Sequence, residues 1–71
     1  MSRETTEFVV YIINEIANAK ETYPSHVYQV LKNTDCINDY LAPFYDVLHT
    51  MSSQSVVDDV LEFVRLRGAS I

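Results

Sequence analysis

The chain has 71 residues, which is one domain, 1–71, and a chain this short buries only about 60% of its unfolded surface. Its net charge of −5 and its five scattered basic residues, Arg3, Lys20, Lys32, Arg65 and Arg67, argue against binding to nucleic acid and to anionic membrane surfaces. A composition of 48% hydrophobic and 21% charged residues excludes disorder, and a single cysteine excludes an internal disulfide.

Hydrophobic periodicity predicts an all-α fold, a bundle of four helices. The first covers residues 3–21. Phe8, Val9, Val10, Ile12, Ile13, Ile16, Ala17 and Ala19 spread over roughly 200° of its wheel, wider than the stripe of about 100° a surface helix needs. The helix is therefore expected to lie centrally, with Val10 and Ala17 as its spare apolar side. Ser2 or Thr5 caps it, and Glu4 and Glu7 suit the positive end of its dipole. The run from Phe8 to Ile13 is also β-prone, but no second strand exists to take its backbone hydrogen bonds.

Pro24 opens a short second helix, 24–33, where its missing N–H costs nothing. Val27, Val30 and Leu31 form its apolar face. Thr34 or Asp35 then caps the third helix, 35–50. At 100° per residue Cys36, Ile37, Tyr40, Leu41, Phe44, Val47 and Leu48 share an arc of roughly 140°. The phase runs through Pro43, so the preferred reading is one helix kinked near Pro43. The alternative is a break at Leu41-Ala42, with Pro43 opening a second helix. Ser52 or Ser53 caps the fourth helix, 53–67, whose Val56, Val57, Val60, Leu61, Phe63 and Val64 face the core. Gly68, the only glycine, stands where a left-handed C-terminal cap is wanted, and residues 69–71 read as a frayed tail.

Tyr45-Asp46-Val47-Leu48-His49-Thr50, with Asp39-Tyr40 before it and Val57-Asp58-Asp59-Val60 after it, resembles the small bacterial proteins of the family called domain of unknown function 3791. The similarity covers Phe8 to Gly68. It implies a bacterial protein whose partner is an ADP-ribosyltransferase-like protein encoded beside it, an arrangement of the toxin–antitoxin kind. It brings no catalytic residues.

Few constellations carry chemistry. Two histidines and one cysteine, with no paired ligand spacing, predict no metal site, and no cofactor motif is present. Cys36 and His49 lie roughly 20 Å apart along one helix, too far for a nucleophile and its base. Cys36 reads as a small buried hydrophobe. His49 suits a helix C-terminus, with Asp46 one turn back as its partner. Tyr11 and Tyr45 fall off their apolar stripes, and Asp58, Asp59 and Glu62 line a polar ridge. Tyr11, Tyr45, Asp46, His49, Asp58, Asp59 and Glu62 are thus the candidate partner-binding residues.

The expected function is protein–protein interaction, not catalysis. The alternative is a homodimer that covers the Val10 and Ala17 side of the first helix. The sequence shows no signal peptide, and the longest apolar run is far short of the roughly 20 residues of a membrane span. With a lone thiol, that favours the cytoplasm.

Overall fold

Residues 1–71 are described by a computed structural model. The helix α1 spans Arg3–Lys20 and α2 spans Pro24–Asn33. A π-helical turn follows at Ile37–Leu41, then a single α-helical turn, α3, at Tyr45–Leu48, and last α4 at Ser53–Leu66. No strand is present, and the three long helices form an all-α bundle. The radius of gyration of 10.8 Å agrees with the roughly 11 Å of a compact chain this long. No helix is long and apolar enough to cross a membrane.

α1 is the central element and packs against both α2 and α4. It buries Val9, Ile12, Ile13, Ile16 and Ala17, a helical i, i+3, i+4, i+7, i+8 series. Val27 and Leu31 come in from α2, and Val56, Val57, Val60 and Val64 from α4. Cys36, Leu41 and Leu48 close the remaining side. Ala17 lies fully inside the core, so the spare side of α1 reduces to Val10, which is half exposed.

The helix ends follow their local chemistry. Ser2 Oγ accepts from the Thr5 N–H at 3.1 Å and Ser52 Oγ from the Ser55 N–H at 3.2 Å, so these two serines are the N-caps. The Thr34 hydroxyl turns back instead and donates to the Val30 carbonyl at 2.8 Å, closing α2 and not opening the next element. Both α1 and α4 finish in paired reverse hydrogen bonds. The Thr22 and Glu21 N–H groups return to Ala17 and Asn18, and those of Ala69 and Gly68 return to Val64 and Arg65. The left-handed residue is Glu21 at φ 52° in the first case and Gly68 at φ 84° in the second. The second reversal folds the tail inward. Ala69 and Ile71 pack on the core beside Leu61, which corrects the expectation of a frayed end.

The segment 35–50 is not one kinked helix. Pro43 has no N–H for the Asp39 carbonyl, and the backbone accommodates this one turn earlier by widening. The Ala42 N–H reaches back five residues to Ile37 at 2.9 Å, and the Phe44 N–H resumes at Tyr40 at 3.2 Å. Ala42 to Phe44 form the break, and Pro43 lies inside it, so it does not open the next helix. The extra residue in the π turn shifts the phase of all that follows. Leu41 and Leu48 stay inside, whereas Phe44 and Val47, expected in the core, emerge 51% and 60% exposed.

Candidate functional site

The shift of phase creates the clearest surface feature. Phe44, Val47 and Met51 recur at i, i+3 and i+7 along a run of short backbone turns, and all three are exposed. Scattered exposed apolar residues are normal, but three large ones within eight residues, on and around the single turn of α3, concentrate apolar surface in one segment of the chain. The Tyr40 ring lies 6.0 Å from that of Phe44 and stacks on Phe63 at 5.7 Å. Next to this stripe, Tyr45 meets Phe8 edge-on at 5.5 Å and lies 4.7 Å from the His49 ring. His49 therefore rests against Tyr45, and no ion pair joins it to Asp46, contrary to expectation. Asp46 and His49 are both exposed.

The other candidate residues are already engaged. The Tyr11 hydroxyl donates to Glu15 at 3.2 Å, and Asp58 accepts from the Gln54 amide at 2.9 Å. Glu62 is hydrogen-bonded to Arg65, which holds its carboxyl below the ordinary range. Asp59 accepts from the Tyr40 hydroxyl at 3.2 Å. No hydrogen bond, ion pair or ring contact links Tyr11 to Tyr45, or either to the α4 carboxylates. Tyr45 and His49 are brought together, and Asp59 alone of the ridge is tied to this region, through Tyr40 and its ring contact with Phe44; Tyr11 lies apart with Glu15.

One cluster had no sequence signal. Arg67 sits 4.4 Å over the Phe63 ring and donates to the Thr34 carbonyl at 3.1 Å and to Asp39 at 2.9 Å. It ties the end of α4 to the π turn, across nearly half the chain. The residues around it are altered by burial. Desolvation pushes the Cys36 thiol up to about 12, slightly offset by Arg67 and reinforced by Asp39. The Tyr40 phenol is also pushed up to about 12, chiefly by burial and then by the Asp59 carboxylate it faces. Both groups are held neutral. A protonated thiol is a poor nucleophile, so the environment of Cys36 works against its reactivity.

A concavity of about 530 Å³ opens between α1, α2 and the π turn. Val9, Val10, Ile13, Tyr28, Leu31 and Ile37 line it, with Lys32 and Asp35 at the edge. No three His, Cys, Asp or Glu side chains converge as metal ligands.

The family model described as a protein of unknown function (DUF3791) matches residues 7–67. No curated protein and no solved structure matches the chain.

Proposed function

The chain belongs to the DUF3791 family of proteins of unknown function, and on that premise we propose that it is a protein–protein interaction module and not an enzyme. The observation that carries the reading is the exposed stripe of Phe44, Val47 and Met51, placed outside by the π turn. π turns are rare, weaken a helix locally and concentrate at functional positions. Here the turn turns two large apolar residues away from the core. Tyr45, Asp46 and His49 flank them and supply an aromatic ring and polar groups of the kind found at interface centres and rims. Nothing comparable supports catalysis, because no nucleophile, base and oxyanion donors converge.

The partner in this reading is the ADP-ribosyltransferase-like protein encoded beside the gene in a bacterium, bound and restrained in the cytoplasm as an antitoxin restrains its toxin. Co-expression of the pair followed by co-purification tests it. The wild-type chain should retain the partner, and Val47→Asp combined with Phe44→Ser should release it while circular dichroism stays unchanged. Failure of the wild-type chain to associate overturns the reading.

Val10, half exposed within the groove beside Tyr28, favours a second reading, a homodimer through α1. Light scattering over a wide concentration range decides it. A dimer that persists on dilution and is dissociated by Val10→Glu supports it; a monomer at all concentrations removes it.

A further inference from the structure

We infer that the occupant of the stripe formed by Phe44, Val47 and Met51 is a cationic amphipathic helix of the partner protein. This rests on the protein-binding reading above and adds the chemistry of the partner. Between Lys32 and Arg65 the chain carries six carboxylates and no lysine or arginine. Arg67 neutralises Asp39 and Arg65 neutralises Glu62. Asp35, Asp46, Asp58 and Asp59 have no ion-pair partner. The apolar stripe lies in the middle of this stretch.

The geometry joins stripe and charge. Asp59 accepts from the Tyr40 hydroxyl, and the Tyr40 ring adjoins Phe44, so a carboxylate borders one end of the stripe. Asp46 is exposed and directly precedes Val47. Met51 lies seven residues beyond Phe44, a span of roughly 10–14 Å between α-helical and 3₁₀ rise, about two turns of a helix laid against the stripe. An amphipathic helix docks through apolar anchors on its own face, repeated every three or four residues, and an exposed apolar strip is the surface that receives them.

The charge then selects among occupants. An acidic partner segment would set its carboxylates against Asp46 and Asp59, and like charges brought together across an interface are strongly disfavoured. A second copy joined through the same face brings the same acidic border and meets the same repulsion. An anionic lipid surface is repelled for the same reason. A helix with apolar residues on one side and Lys or Arg beside them satisfies both features.

The test uses the full chain labelled with ¹⁵N at near-neutral pH. Two probe peptides of roughly fifteen residues carry identical leucine positions. One has lysine and the other glutamate at the charged positions. The lysine peptide should shift the amides of Phe44, Val47 and Met51, and bind about tenfold or more tightly than the glutamate peptide at low salt. Added salt should weaken it. Val47→Ser should reduce its affinity about tenfold, and the pair Asp46→Asn, Asp59→Asn should flatten the salt dependence. Equal binding of both peptides at the stripe overturns the charge inference and leaves the docking face standing. Shifts confined to the groove of Val10 and Tyr28, or no binding of the lysine peptide, overturn the inference, and the co-purification experiment then decides the protein-binding reading by itself.

Discussion

One buried and one partly buried side chain, Cys36 and Tyr40, set the response of the protein to alkali. The Cys36 thiol moves from 9.0 to about 12 and the Tyr40 phenol from 10.0 to about 12 on folding, mainly because burial penalises their anions. A raised folded value means that the native state holds the proton more tightly than the unfolded chain. The associated stability is complete below the unfolded values and is lost as pH rises through the folded ones. Urea midpoints should therefore hold steady up to about pH 9 and fall between about pH 9 and 12. Cys36→Ala combined with Tyr40→Phe should flatten that fall. A midpoint independent of pH in this window would show that neither group is withdrawn from water as described. Thiol chemistry gives an independent check. Cys36 is fully buried, so a thiol reagent at about pH 8 should label the native chain orders of magnitude more slowly than the urea-unfolded chain. Prompt labelling of the native protein would contradict this burial. The burial of Cys36 was legible from its place on the apolar stripe. The hydrogen bond from Tyr40 to Asp59 was not, because it joins residues on elements whose relative placement no local pattern specifies.

The consequences of the π turn belong to the level of elements. A continuous helix puts Val47 and Leu48 on one buried face, whereas the widened turn buries Leu48 at 3% exposure and leaves Val47 outside at 60%. Leu48→Ala should cost about 2–5 kcal/mol and Val47→Ala less than about 0.5 kcal/mol in denaturant unfolding. Equal, large costs would restore the kinked helix. The helix ends give a reciprocal pair. Gly68 is left-handed with nothing near its missing side chain, so Gly68→Ala should destabilise by about 1 kcal/mol through backbone strain alone. Glu21 holds the same conformation with a side chain attached, so Glu21→Gly should stabilise by a similar, somewhat smaller amount. Opposite signs at these two sites are the expected result; two losses would remove the argument. Among the elements, α1, α2 and α4 were readable because their apolar residues repeat with one period and their starts are marked, by a capping serine in α1 and α4 and by Pro24 in α2. The third segment was misread for the same reason. Its residues keep an α-helical phase on paper, and only the unmet carbonyl opposite Pro43 hinted at a change of register. Phe44 and Val47 were therefore taken for core, and the most informative part of the candidate surface was missed.

At the scale of the whole molecule, charge opposes compactness. Three of the ten carboxylates are in ion pairs, with Arg3, Arg65 and Arg67, which leaves seven carboxylates against Lys20 and Lys32. The pairs are largely exposed and contribute little. The chain measures 25 × 22 × 19 Å, so at low ionic strength, where the screening length reaches about 30 Å, every unpaired carboxylate feels the others. Near 0.15 M salt that length falls to about 8 Å, and the repulsion across the molecule is largely removed. Folding concentrates like charge, so screening should favour the folded state. The melting temperature should rise by a few degrees between low salt and about 0.2 M sodium chloride, the shift expected of a gain below about 1 kcal/mol in a domain this small. Chloride suits the test because sulfate strengthens burial by a separate route. Asp58→Lys places a cation in the stretch that has none and should raise the melting temperature at low salt while reducing its dependence on salt. A melting temperature that falls with sodium chloride would mean that the three ion pairs outweigh the net charge. The same salt weakens the docking of a cationic helix, so ionic strength should move stability and binding in opposite directions, and a single titration series separates the acidity that opposes folding from the acidity that recognises a partner.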